Sequence, residues 1–339
     1  MKSRSWMTGT AAAVGMLVLI LDGRTAMEGI RDGMDLCLRT LIPSLFPFFI
    51  LSMLLTGSMA GQKLPLLRPI GRLCGIPEGC ESLLITGFLG GYPVGAQNIA
   101  QAWKQGALSQ KDAERMLGFC SNAGPAFIFG VVGLAFDVPW LVWALWAVHM
   151  VSAIAVGTLI PSSCGRCCRM PKRERMPLTR ALQKSIAVMA QVCGWVVLFR
   201  MVLAYLDRWF LWLLPEDGKV FLSGLLELSN GCVGLGALEM EGARFLAATV
   251  LLAFGGVCVT LQTGSVTGGL SLRYYFPGKL LQAVFSLALS FGIQLCLPAE
   301  ERCALPPLIW AAAALISLIS MGFLRKRQNN SSIPAAVGV

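Results

Sequence analysis

Charge is the first thing this chain of 339 residues lacks: only 14% are Asp, Glu, Lys or Arg, where soluble domains carry about 25%. With 55% of positions hydrophobic and a mean hydropathy of +0.68, no water-facing surface can be assembled, and a soluble enzyme is excluded. Histidine is nearly missing too. The one present, His149, cannot build a His-rich metal centre, and neither an H-E-x-x-H nor a G-x-S-x-G pattern occurs. Hydrolytic chemistry of those kinds is therefore excluded, and neither enzymatic activity nor a cofactor is expected.

What charge there is has a sign, +10 overall, and in a membrane protein Lys and Arg mark cytoplasmic loops. The densest basic stretch is Arg166, Arg169, Lys172, Arg173, Arg175, Arg180 and Lys184, and Arg325, Lys326 and Arg327 end the last apolar run. The expected partner is the lipid bilayer, with no nucleic acid. The 12 cysteines are largely scattered through apolar segments (Cys120, Cys193, Cys232, Cys258, Cys296), where a thiol packs as a small hydrophobe. Cys164, Cys167 and Cys168 form a C-x2-C-C cluster in the basic loop. Zinc normally takes a fourth ligand, so reduced cytosolic thiols are expected there and no metal.

Eight stretches can cross as helices at about 20 residues each: 6–21, 41–60, 116–136, 140–160, 185–206, 245–265, 279–297 and 307–324. The fold class expected is an all-α, multi-pass protein of the cell membrane. Placing the 162–184 loop in the cytoplasm puts Lys63, Arg68, Arg72, Lys104, Lys111, Arg115 and both termini there, and leaves Asp137, Glu216, Asp217, Glu239, Glu241, Glu300 and Glu301 outside. The first helix follows Lys2 and Arg4 as in a signal peptide, but its exit, Asp22-Gly-Arg-Thr, lacks a small-x-small cleavage pattern, so retention is expected. Met27, Ile30, Met34, Leu38 and Leu41 predict an amphipathic helix lying at the outer interface. Ser109 with Asp112 three positions on predicts a helix start.

Two apolar segments resist this pattern. Residues 82–103 contain Gly87, Gly90, Gly91, Pro93 and Gly95, and residues 220–238 are broken at Glu227-Leu-Ser229-Asn230-Gly231 and again at Gly234 and Gly236. Gly costs about 1 and Pro about 3 kcal/mol in a helix interior, so both are expected to be re-entrant hairpins, entering from the inside and the outside respectively. The chain then divides into a first helix and interfacial helix (1–40), one repeat (41–160), a basic cytoplasmic loop (161–184), a second, inverted repeat (185–297), and a final helix with a basic tail (298–339). Each repeat runs helix, hairpin, helix with a polar centre, helix. Gly87 to Phe119 spans 32 positions and Gly224 to Phe254 spans 30. Inverted repeats with discontinuous helices are how many secondary transporters place bare backbone at the bilayer midplane.

The polar centres supply the candidate binding residues. One reads Phe119-Cys-Ser121-Asn122-Ala-Gly124-Pro125 and the other Phe254-Gly-Gly-Val-Cys-Val-Thr260-Leu-Gln262-Thr263. Pro125 removes a backbone donor, while Asn122 and Gln262 offer both donor and acceptor atoms; close packing of small residues is the bland alternative. Glu227 is the sharpest candidate, since an ionisable group at membrane depth usually faces a cavity or a partner. It can hold a proton, pair a cation, bind a solute, or pair structurally with Arg200. His149, among Trp143, Trp146 and Met150, reads as a packed or interfacial residue more readily than as a proton relay.

Four motifs in order, Pro43-Ser-Leu-Phe-Pro47-Phe, Gly90-Gly-Tyr-Pro-Val-Gly-Ala96, Phe119-Cys-Ser-Asn-Ala-Gly-Pro-Ala-Phe-Ile128 and Leu226-Glu-Leu-Ser-Asn-Gly231, resemble the YlbJ-type sporulation integral membrane proteins. These belong to the group with nucleoside-recognition (Gate) domains. The resemblance covers roughly residues 25–325 and implies an endospore-forming source and a role in spore formation. Through the likeness of Gate domains to concentrative nucleoside transporters, it implies a transporter or permease whose site comprises Gly91, Tyr92, Pro93, Gln97 and Asn98; Ser121, Asn122, Gly124 and Pro125; Glu227, Ser229 and Asn230; and Thr260, Gln262 and Thr263. Its partners would be a small polar, nucleoside-like solute, a coupling cation or proton at Glu227, and a second copy of the chain. The first hairpin offers Gln97 and Asn98 but no carboxylate to read a ribose. The alternative is a non-transporting scaffold or assembly factor for spore maturation, recruiting partners through the basic loop.

Overall fold

Hydrocarbon offers no partner to a free backbone N–H or C=O, so long apolar runs fold as helices. In the computed structural model, which describes residues 2–59, 62, 64–160, 162, 176–305 and 307–331, every regular element is helical. These are α1 (Lys2–Leu21), α2 (Gly23–Leu36), α3 (Ile42–Met59), α4 (Arg68–Leu73), α5 (Ser82–Leu89), α6 (Val94–Lys104), α7 (Gln110–Cys120), α8 (Pro125–Gly130), α9 (Pro139–Leu159), α10 (Leu178–Trp209), α11 (Glu216–Leu226), α12 (Leu228–Gly234), α13 (Glu241–Phe254), α14 (Gly256–Val266), α15 (Tyr275–Ile293) and α16 (Pro307–Ser331). Cys164, Cys167, Cys168 and the basic residues Arg166, Arg169, Lys172, Arg173 and Arg175 lie outside the described residues, as does Lys63.

Among the described residues, six segments are long and apolar enough to cross a membrane, against the eight expected. The chain is thus an all-α, multi-pass membrane protein. Two expected crossings fall short: the apolar part of α1 is only Gly9–Leu21, and residues 116–136 are not one helix. There α7 ends at Cys120, Ser121 and Gly124 are extended, and α8 restarts at Pro125. The residue before a proline is pushed out of helical geometry, which stops α7 from running through.

The segment expected as a separate interfacial helix differs as well. Helix α2 continues through a wide turn, Cys37–Leu41, into α3. The turn sits just before Pro43, which has no N–H to donate, and Ser44 Oγ donates 2.7 Å to the Thr40 carbonyl. Helix α2 runs antiparallel along α10, with Asp22 beside Arg208 and Cys37 beside Cys193. Its Met27 and Met34 are exposed, as is Leu38 in the wide turn, and α2 packs through Gly29 and Gly33. A Cβ on Gly29 would lie 2.8 Å from Ala204 Cβ and 2.9 Å from Met201 Cα. In a bilayer nothing drives a methionine away from lipid, and helices associate where small residues let backbones approach.

Both hairpins fold back on themselves. Helices α5 and α6 turn at residues 90–93, and α11 and α12 turn at Glu227. In each pair the limbs meet at two glycines: Gly95 would carry its Cβ 3.0 Å from Gly87 Cα, and a Cβ on Gly231 would overlap Gly224 Cα. The second broken helix, α13 to α14, turns at Gly255 and Gly256, with φ of 80° and 78°. Side chains rarely tolerate two left-handed residues in succession, and Gly256 faces the carbonyls of Gly224, Leu225 and Leu226.

Helix α7 packs on α15 and α13 on α9; α6 packs on α14, and α12 on the short turn Val132–Ala135. Buried carboxylates tie the starts of the broken helices to remote loops. Glu114 accepts from Ser271 N at 3.1 Å and pairs with Arg273 at 2.6 Å. Glu241 accepts from Asp137 N at 2.7 Å, and Arg244 pairs with Asp137 at 3.0 Å. Ser109 caps α7 as expected, accepting from Asp112 N at 3.1 Å.

Candidate functional site

The unwound segment between α7 and α8 is held by side chains from other helices. Asn122 Nδ2 donates 2.6 Å to the Phe119 carbonyl, which fixes the amide's orientation. Its Oδ1 accepts from Lys279 Nζ and from Gln282 Nε2, both at 3.0 Å. Lys279 Nζ also donates to Gln282 Oε1 at 2.9 Å, and Gln282 Nε2 reaches the His149 carbonyl at 3.3 Å. Ala123 N donates 3.1 Å to His149 Nε2, so the imidazole hydrogen sits on Nδ1. Lys279, Asn122, Gln282 and His149 are all buried. His149 is thus part of the polar centre, whereas its expected neighbour Trp143 is exposed.

Beside this cluster is a cavity of about 50 Å³, room for only a few waters. Gly91 and Tyr92 of the first hairpin, Ala123 and Gly124 of the unwound segment, Glu227 and Ser229 of the second hairpin and Gln262 of α14 line it, with Phe48, Phe49 and Phe127. The first hairpin tip also meets the second break, since a Cβ on Gly255 would lie 3.2 Å from Tyr92 Oη.

Glu227 is buried and accepts from Ser229 N at 3.1 Å, Asn230 N at 2.8 Å and Asn230 Nδ2 at 2.7 Å. It is the N-cap of α12, where orphan amides favour an anion. Arg200 is not its partner. That guanidinium pairs with Asp32 at 2.9 Å, because the α2–α10 seam brings the two together.

Of the expected residues, Gly91, Tyr92, Gly124, Glu227, Ser229 and Gln262 line the cavity. Asn122 and Asn230 stand behind them, holding Lys279 and Glu227. Ser121 is buried with an unpartnered hydroxyl, Thr263 is buried beside the Tyr275 hydroxyl, and Thr260 bonds back to the Gly256 carbonyl at 3.0 Å. Gln97 and Asn98 sit on α6 outside the cavity lining, each with one unpartnered buried atom. Pro93 follows a cis peptide at the hairpin turn, and Pro125 starts α8. The reading of the thiols as packing fits Cys120, Cys232 and Cys258, which are buried, but Cys296 is exposed.

Lys279 and Gln282 were missed from sequence. The signal was an ionisable residue beside a long apolar run, but the expected crossing began at 279, which put the amine at the membrane edge. The helix in fact begins at Tyr275, about 6 Å of rise earlier.

No family model and no solved structure matches the chain. Among curated proteins it is similar to the sporulation integral membrane protein YlbJ of Bacillus subtilis (strain 168), at 26% identity across 78% of this chain and 76% of the relative. That similarity, with the four motifs in their order, supports the resemblance of the chain to the YlbJ-type sporulation integral membrane proteins.

Proposed function

We propose that this protein serves spore formation as a transporter or permease rather than as an enzyme, moving a small polar, nucleoside-like solute through a midplane site built by the two hairpins and the two broken helices. The observation that carries this is the cavity where all four interrupted segments meet, with Glu227, Ser229, Gln262 and Tyr92 on its walls. An inverted repeat is supported by the exchange of partners between the halves: α7 on α15 answers α13 on α9, and α6 on α14 answers α12 on 132–135. The Glu114–Arg273 tie answers the Glu241–Asp137 tie in the same way. Gating of one repeat against the other around a fixed site is the motion such repeats support. At about 50 Å³ the cavity is far below the roughly 300 Å³ at which small-molecule pockets begin, so a nucleoside-sized solute would need the hairpins to move apart. Glu227 is the coupling group, able to carry a proton or pair a cation.

Purified full-length protein in liposomes, offered labelled nucleosides and other small polar solutes with and without a pH gradient, should take up at least one of them, and Glu227→Gln should abolish the uptake. In a spore former deleted for its own YlbJ-type protein, Glu227→Gln should fail to restore spores. If nothing is taken up and Glu227→Gln sporulates as the wild type does, the scaffold alternative replaces transport.

A further inference from the structure

Lys279 is the buried lysine among the described residues, and it has no carboxylate partner. Its acceptors are two neutral amides, Asn122 at 3.0 Å and Gln282 at 2.9 Å, and its ammonium lies 5.3 Å from the ring centre of Tyr92 and 5.9 Å from that of Tyr275. The titratable groups facing it are Cys120 from α7, His149 from α9, Tyr92 from the first hairpin and Tyr275 from its own helix. Helices α13 and α16, which also pack on α15, add no charged group to its partners.

Such a pocket accommodates lysine in either protonation state. An ammonium donates to both amides and turns its remaining N–H towards the aromatic faces. A neutral amine can make the same two bonds and still offer its lone pair to a hydroxyl, and the hydroxyl of Tyr92 is buried without a hydrogen-bond partner. Nearby Arg115 is the opposite case: it donates to the Cys74 and Gly75 carbonyls at 2.7 and 2.6 Å, and a guanidinium keeps its charge. The two states of Lys279 differ in grip, because charge-assisted hydrogen bonds are roughly twice as strong as neutral ones. The grip falls on Asn122, whose neighbours Ala123 and Gly124 wall the cavity.

We propose that Lys279 is a proton-binding site: with the proton bound, its ammonium clamps Asn122 and holds segment 121–124 against the cavity, and with the proton released to water the neutral amine lets the segment move. This deepens the transport function by giving the coupling proton a seat besides Glu227, yet the clamp can be measured with no solute present.

The test is hydrogen–deuterium exchange of the full-length protein in lipid nanodiscs, following the amides of 121–124 from about pH 6 to about pH 10, around and below an ordinary lysine value of about 10.4. Rates are divided by the intrinsic rate at each pH. Protection in the wild type should fall at least about tenfold across that range, the change one displaced pKa unit represents. Lys279→Arg should stay protected throughout and Lys279→Gln should be unprotected throughout, while the hairpin amides around Gly224 and Gly231 stay flat in all three. Flat protection in the wild type overturns the proposal, and so does a wild-type step surviving in either variant. Should Lys279→Gln fail to fold by size exclusion, Lys279→Arg decides alone, since it keeps both the charge and the clamp. A pH step without uptake of any solute supports the proton site and counts against transport; uptake without a step does the reverse.

Discussion

The two broken helices are interrupted by similar means but held differently. In the second half the polar groups at the interruptions are held locally: Gly255 and Gly256 turn the chain, and Glu227 is bound by donors two and three residues away. In the first half the break depends on distant chain, with Asn122 held by Lys279 and Gln282 from 157 and 160 residues further on, and Ala123 by His149. A buried carboxyl held by its own cap ties together one hairpin. A buried charge reaching across from another helix makes the packing of the two halves depend on its state, so the first break is where a change at one group can become a movement of the protein.

What the halves share should be the most costly to disturb. A Cβ on Gly87 would overlap the Cys120 carbonyl, and one on Gly231 would overlap Gly224 Cα, both of them backbone. Gly87→Val and Gly231→Val should each cost more than about 4 kcal/mol, seen as loss of the folded species on size exclusion in detergent. Gly236→Ala, with nothing within 4 Å of the new atom, should stay within about 0.5 kcal/mol of wild type. If Gly231→Val folds normally, the second hairpin is not closed as described.

The difference between the halves predicts unequal effects of matched substitutions. Asn122→Leu strips an acceptor from both Lys279 and Gln282 and frees the Phe119 carbonyl, at a cost of about 3 kcal/mol. Asn230→Leu removes one side-chain donor to Glu227 and leaves the two backbone amides in place, at a cost of about 1.5 kcal/mol. Denaturant titration in detergent micelles measures both. Equal costs would erase the distinction between a local break and a junction.

The breaks themselves were legible because glycine, proline and asparagine in an apolar run have few other uses: residues 90–93, 121–125 and Glu227 all interrupt helices as expected, and Ser109 caps one. What escaped depends on tertiary contact. Lys279 looked like a boundary residue because one-dimensional hydropathy cannot see Asn122 arriving from the other half. The seam of α2 escaped for a different reason: amphipathic spacing places the stripe of Met27, Met34 and Leu38 towards lipid, where it is exposed, but says nothing of Gly29 and Gly33, whose missing side chains let α10 approach on another face.

That seam supplies the smallest effect. Arg200 and Asp32 bridge it at 2.9 Å, yet their side chains are 30% and 57% exposed, and exposed pairs contribute little. Arg200→Gln should cost less than about 0.5 kcal/mol, whereas Gly33→Leu, whose new atoms would meet Val197 Cα at 2.9 Å, should cost about 2 kcal/mol or more. Both are read from thermal unfolding in detergent. Because pairing with Arg200 was one of the alternatives for Glu227, the same variant also tests the local hold on the second hairpin. Unfolding and sporulation unchanged by Arg200→Gln would leave Glu227 held by α12 alone; a loss comparable to that from Glu227→Gln would tie the second hairpin to α10 and make both breaks junctions.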